Sequence, residues 1–263
     1  MKIQKKNHDS IPIIYDENLC IGNYFYEGET LVVKMDEKIL TTITESFIKT
    51  QEVLLKKIII KDNIVFLLMS SDIEDYLFIN ECLIQLGTGV TNFMSIESSV
   101  YIAYSEEGIF SELEPSMFGI VEYDIEKRNI STILPENLFE QIIDIECVKA
   151  ISNKLFLIAI FENYEQHLII YDKKNSQIYN IQLPEFEDSI IDIYCTSKYY
   201  YFFTFSSVFI LDTKLYLVKS FNLSKYIPSE IFNILIHEKH ILFESKTEYY
   251  LEDINTFINL LEI

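Results

Sequence analysis

Apolar residues in this chain fall into short runs rich in β-branched and aromatic side chains, and small polar groups interrupt the runs at regular intervals. The stretch from Ile190 shows the pattern: IIDIYC, YYYFFTF, VFILD and LYLVKSFNL, separated by TSK, SS and TK. Runs of this length and composition between turn-forming residues predict β-strands, and their even spacing predicts an all-β assembly. Two places break the pattern. Over residues 253–263, Ile254, Phe257, Ile258 and Leu261 have helical spacing behind Asp253, a capping residue type. Residues 44–52, TESFIKTQE, have the composition of a helical turn.

The runs repeat. Asp36, Asn80, Asp124, Asp172, Asp212 and Glu252 end or closely follow an apolar run at steps of 44, 44, 48, 40 and 40 residues. Ile142-Ile143-Asp144-Ile145-Glu146-Cys147 returns as Ile190-Ile191-Asp192-Ile193-Tyr194-Cys195, an offset of 48. Each unit holds four short strands and cannot bury both faces of its sheet alone, so neighbouring units must stack. The chain resembles a divergent six-bladed β-propeller with four-stranded blades of about 44 residues, covering 1–263 as a single domain. The resemblance is to a fold rather than a family, because the WD, kelch and quinoprotein motifs are absent: there is no Trp and only six Gly. It implies a closed ring, with Met1–Lys6 available to complete the last sheet. An open solenoid and paired sandwiches are the architectural alternatives.

Composition narrows the function classes. The net charge is −20 and Arg128 is the single arginine, so direct nucleic-acid binding and adsorption to an anionic membrane are not expected. No apolar run approaches membrane-spanning length, and no apolar core follows the first lysines. Cys20, Cys82, Cys147 and Cys195 lack metal or disulfide spacing and read as free thiols, which points to a cytoplasmic setting.

The strand assignment puts loops on two rims. One gathers acids: Asp72, Glu74 and Asp75; Glu106, Glu107, Glu112 and Glu114; Glu136 and Glu140; Glu162 and Glu165; Glu185, Glu187 and Asp188. The other gathers Lys61, Lys127, Arg128, Lys154, Lys173, Lys174, Lys198, Lys214 and Lys239 among a few acids. The acidic rim also carries apolar residues that a loop does not otherwise need: Phe110, Leu113, Met117, Phe118, Leu138, Phe139, Tyr164, Phe186, Tyr226 and Ile227. Aromatic anchors ringed by charge form protein-binding patches, in which a few rings carry affinity and charges steer approach. Folding inward to plug the ring is the structural alternative for the same side chains.

Catalytic chemistry finds little footing. One arginine excludes an arginine triad, and neither a GxSxG elbow nor a glycine-rich phosphate loop is present. His237 and His240 lack companions at zinc-ligand spacing. Asn92, Asp144, Asp192 and Asn233 align on first strands, and two carboxylates with two amide oxygens suit a hard cation such as Ca²⁺. Such residues more often cap their own turns through backbone hydrogen bonds. The expectation is therefore a non-enzymatic propeller without a resident cofactor that binds a basic protein partner through its acidic rim, in the manner of an inhibitor or immunity-type protein. A metal-assisted hydrolase or lyase built on the Asp/Asn ring is one alternative; a scaffold subunit of a larger assembly is the other.

Overall fold

The computed structural model describes all residues except His8, Glu17, Gly28, Glu29, Asp36, Glu37, 45–53, Asn63, Glu81, Glu112, Glu187 and Ile263. Asp36 of the repeat, Glu112 and Glu187 of the acidic rim, and nearly all of the 44–52 turn therefore lie outside the described residues. The first strands are β1 Lys2–Lys5, β2 Ser10–Tyr15, β3 Asn18–Glu27, β4 Thr30–Met35 and β5 Lys38–Thr44. Next come β6 Leu54–Lys61, β7 Ile64–Ser70, β8 Asp75–Ile79 and β9 Cys82–Gly87. Then follow β10 Val90–Ile96, β11 Ser99–Tyr104, β12 Ile120–Asp124 and β13 Asn129–Thr132. After them are β14 Ile142–Ile151, β15 Lys154–Phe161, β16 Gln166–Asp172 and β17 Gln177–Gln182. The last are β18 Asp192–Cys195, β19 Tyr199–Phe203, β20 Ser207–Asp212, β21 Leu217–Asn222, β22 Ile231–His237, β23 His240–Ser245 and β24 Glu248–Asp253. Among the described residues the α-helices are α1 Glu106–Ile109, α2 Glu136–Phe139 and α3 Ile254–Glu262.

The chain forms two compact units, Leu86–Glu230 and the remainder (Met1–Gln85 with Ile231–Ile263). Leu86–Glu230 contains three antiparallel four-stranded meanders: β10-β11-β12-β13, β14-β15-β16-β17 and β18-β19-β20-β21. Burial is graded across each sheet. The second strand of the first meander, β11, is buried at every position, whereas its fourth, β13, is exposed at every position. Stacking explains this gradient. Met94, Tyr101 and Ile120 of one meander share a cluster with Ile145, Leu155, Leu157 and Ile169 of the next. On the far side of that sheet, Cys147, Phe156, Ile158 and Leu168 join Ile193, Phe202 and Leu211. Alternate residues of each inner strand thus face two different neighbours, which is why these strands read as continuous apolar runs.

The other unit departs from separate four-stranded sheets. Its two meanders join as one eight-stranded sheet, β5-β4-β3-β2-β6-β7-β8-β9, through parallel pairing of β2 with β6 at Ile13↔Ile58, Ile14↔Ile59 and Tyr15↔Ile60. Ile13, Val33, Ile58, Leu67 and Phe78 form the core between its two halves. The remaining sheet, β1-β24-β23-β22, takes its outer strand from the N-terminus, with Lys2↔Leu251 through Lys5↔Glu248 in register. The amino terminus lies 2.6 Å from Glu252, and Lys6 pairs with Glu244. Because β1 fills that edge, the C-terminal segment is free to be α3. Asp253 accepts from the Thr256 N–H at 2.8 Å, and Ile254, Phe257, Ile258 and Leu261 are all buried.

The repeated acids act as turn chemistry. Asp124 Oδ1 accepts from the N–H groups of Glu126 and Lys127 at 3.0 and 2.9 Å. Asp172 accepts from Lys174 at 3.1 Å, and Asp212 from Lys214 and Tyr216 at 2.8 and 3.0 Å. A side-chain oxygen placed two residues before an N–H mimics a backbone turn, which explains why Asp recurs there.

Candidate protein-binding interface

The longest loop of the Leu86–Glu230 unit, residues 105–119, is built from its polar residues inward. At its start, Ser105 donates from N–H and Oγ to the Gly89 carbonyl at 2.8 and 3.1 Å. Next, Asp144 Oδ1 on β14 accepts from the Glu106 N–H at 3.0 Å and holds the first residue of α1. Two glycines let the backbones touch. A Cβ on Gly108 would stand 2.4 Å from the Thr88 carbonyl, and one on Gly89 (φ +74°) 2.4 Å from the Gly108 nitrogen. Further along, Ser111 donates to the Gly108 carbonyl at 2.7 Å and meets Ser116 Oγ at 2.9 Å. Ser116, fully buried, donates to the Leu113 carbonyl at 2.8 Å.

With the hydroxyls of Ser105, Ser111 and Ser116 bonded to backbone carbonyls, the loop's apolar tips face solvent. Phe110 is 61% exposed, Leu113 44% and Met117 38%, and the exposed Glu106, Glu107 and Glu114 belong to the same loop. Phe118 leans edge-on against Phe139 of α2, with ring centroids 5.8 Å apart. Phe139 packs on the core between the first two meanders, and Glu136 and Glu140 beside it are exposed. The next loop joins this one through a Glu162 N–H to Gln141 carbonyl bond of 2.9 Å, and presents Tyr164 at 82% exposure.

The expected rim needs correction at four places. Phe186 is only 8% exposed: it packs against Phe202 and Phe209 at 5.8 and 4.7 Å, so it belongs to the core and is no partner anchor. Leu138 and Ile227 are likewise buried. Asp75, read as a rim acid, is 2% exposed and pairs with Lys56 at 3.1 Å in the other unit. Conversely, Phe205 was expected within a strand, but β19 ends at Phe203 and Phe205 stands 44% exposed in the turn that follows. Asp188 reaches that turn and accepts from Ser206.

The aligned polar residues of the first strands are engaged in holding backbone. Asn92 Oδ1 accepts from the Phe93 N–H at 2.9 Å and Asp192 Oδ1 from Ile193 at 2.8 Å. Asn92, Asp144 and Asn233 each stand at a shift of strand register, where an extra residue leaves backbone groups outside the ladder. Asp192 is 4% exposed and also takes the ammonium of Lys149, itself 7% exposed, at 2.9 Å. Asn233 belongs to the other unit and donates to Glu244 at 3.3 Å. Among the described residues no three His, Cys, Asp or Glu side chains form a metal-holding group.

Two carboxylates on β14 titrate abnormally. Burial raises Asp144 above the usual carboxylate range; the Glu106 charge adds to this, and the N–H groups of Glu106 and Ile145 oppose it. Burial also raises Glu146, against bonds from Ser189, Ile190 and Gln166. Glu146, not singled out from the sequence, accepts from Gln166 Nε2 at 3.0 Å and from the Ile190 N–H at 3.2 Å. One strand therefore fixes two rim loops, through Asp144 on one side and Glu146 on the other.

No protein-family model matches this chain, and no curated protein matches its sequence. Solved structures do. Hsv2 of Kluyveromyces marxianus has a TM-score of 0.54 at 10% identity over 92% of this chain and 70% of its own. The AfRom2 CNH domain has 0.53 at 10% identity, over 88% and 75%. A chain of the Mitotic Checkpoint Complex has 0.53 at 9% identity, over 93% and 74%. The fold is a β-propeller. At these identities the likeness concerns the fold alone.

Proposed function

We propose that this chain is a non-enzymatic, protein-binding β-propeller whose partner docks on the acidic, aromatic-bearing loops of the Leu86–Glu230 unit. The observation that carries the reading is the outward display of Phe110, Leu113, Met117 and Tyr164 among exposed glutamates, with the 105–119 loop tied down through Ser111, Ser116 and Asp144. A loop fixed before binding has less conformational entropy to lose on docking. Truncating a central aromatic anchor of such a patch costs about 2 kcal/mol of binding. The charge favours a basic partner, because acids around the anchors speed capture of a cation-rich surface and discourage acidic competitors. An inhibitor or immunity-type protein acting in the cytoplasm on a basic target is the concrete form of this proposal.

For the whole chain we propose six blades: five complete meanders, and a sixth completed by β1. A likeness to a chain crystallised within a Mitotic Checkpoint Complex supports the use of this fold as an assembly surface. The test is affinity isolation from the native host at low salt, comparing wild type with Glu106→Lys/Glu107→Lys/Glu114→Lys. A basic protein retained by wild type and lost by the variant supports the reading; the same protein retained equally by both removes it.

A further inference from the structure

We infer that Phe110, Leu113 and Met117 form a preset platform for a cationic amphipathic segment of the partner, a stretch whose apolar side chains are flanked by Lys or Arg. This rests on the acidic loops being the binding face, and it names what that face selects.

Three observations converge on this occupant. First, the platform is fixed. Gly89 against Gly108, Asp144 on the Glu106 N–H and the Ser111–Ser116 pair hold the loop at its start, middle and end. These bonds hold the loop on both sides of the tips, and none of them would be broken by covering Phe110, Leu113 and Met117. Second, the surroundings have one sign. Glu106, Glu107 and Glu114 are exposed, and the sequence from Ser105 to Gly119 contains no lysine or arginine. Third, the other occupants meet a cost. A second copy docking through the same face would set glutamates against glutamates in a chain of net charge −20. An anionic lipid surface or a nucleic acid meets the same repulsion. A neutral apolar segment would desolvate carboxylates without pairing them. A cationic amphipathic segment covers the apolar tips, and its long Lys or Arg stems can lie over them while their charged ends reach the carboxylates.

The experiment uses the full chain and three labelled synthetic peptides of about 18 residues, long enough for a helix to form on binding. One is an amphipathic Lys/Leu peptide, the second has the same composition with the order scrambled, and the third carries Glu in place of Lys. By fluorescence anisotropy at low salt, the amphipathic peptide should bind at least about tenfold more tightly than the scrambled one, and the Glu peptide should not bind. Phe110→Ala/Leu113→Ala/Met117→Ala should remove that tenfold preference while leaving residual charge-driven binding. Equal binding of amphipathic and scrambled peptides to wild type would overturn the inference. So would an undiminished preference in the alanine variant. Should that variant melt early, competition decides: the Lys/Leu peptide must displace the host partner from wild type, and the scrambled peptide must not. A host partner that is lost from the Lys variant yet not displaced by the Lys/Leu peptide defeats this inference and leaves the binding reading standing. A partner that the Lys variant retains defeats the binding reading itself.

Discussion

Lys149 and Asp192 form an ion pair that is nearly closed to solvent, with 7% and 4% exposure and a contact of 2.9 Å. They come from first strands of adjacent meanders, β14 and β18, so the bond ties two sheets together. Removing one member leaves a buried charge without its partner, which typically costs about 3–5 kcal/mol. Unfolding entropy of about 2.1 cal/mol/K per residue over 263 residues amounts to about 0.55 kcal/mol/K. Either Lys149→Met or Asp192→Leu should therefore lower the melting temperature by about 5–9 °C. The double variant replaces both charges with apolar groups and should recover most of this loss, with a coupling of at least about 2 kcal/mol. Thermal and urea melts of the four proteins, followed by circular dichroism, close the cycle. Single substitutions that each cost less than about 1 kcal/mol and simply add would refute the reasoning. The same proteins address calcium. With Lys149 holding Asp192, millimolar Ca²⁺ should not raise the wild-type melting temperature, and a rise abolished by Asp192→Leu would reinstate the cation site.

Two further outcomes follow from titration. Asp144 has a raised folded value, so its burial penalty is fully present above that value and is relieved as pH falls through it towards the ordinary carboxylate range. Asp144→Asn keeps an acceptor for the Glu106 N–H and should reduce the gain in stability seen as pH falls from neutrality towards the ordinary carboxylate range, as read by urea melts. Burial pushes the Cys195 thiol up to about 12, against 9.0 for an unperturbed thiol. Its thiolate fraction near pH 8 is then about a thousandfold lower, and iodoacetamide should alkylate Cys195 correspondingly more slowly in the native protein than after denaturation, by mass spectrometry.

What could be read from the sequence was the chemistry that acts over a few residues. Asp124, Asp172 and Asp212 bond N–H groups two to four positions away, so their recurrence marked the repeat directly. The helical spacing within Ile254–Glu262 was visible for the same reason, from one cap and one apolar face, while the repeat itself left a last strand over residues 253–263 equally open. Long-range pairings were not legible. Asp192 finds Lys149 across 43 positions, and no local pattern distinguishes that lysine from an exposed one. Phe186 and Phe110 stand in loops of similar composition, yet only the first meets a gap between Phe202 and Phe209. The joining of two expected sheets through β2 and β6 depends on parallel contacts between residues 45 apart, such as Ile13 and Ile58. The acids and apolar residues of the 105–119 loop could be named from composition alone; the glycines, serines and Asp144 that hold that loop emerged only from the fold.

The most direct test of the central claim is the association rate of the captured partner with wild type and with Glu106→Lys/Glu107→Lys/Glu114→Lys, measured by biolayer interferometry across a salt series. The account predicts that the variant associates at least about tenfold more slowly at low salt, that the difference shrinks as salt rises, and that both proteins melt alike. Equal rates at low salt, with both proteins folded, would contradict it.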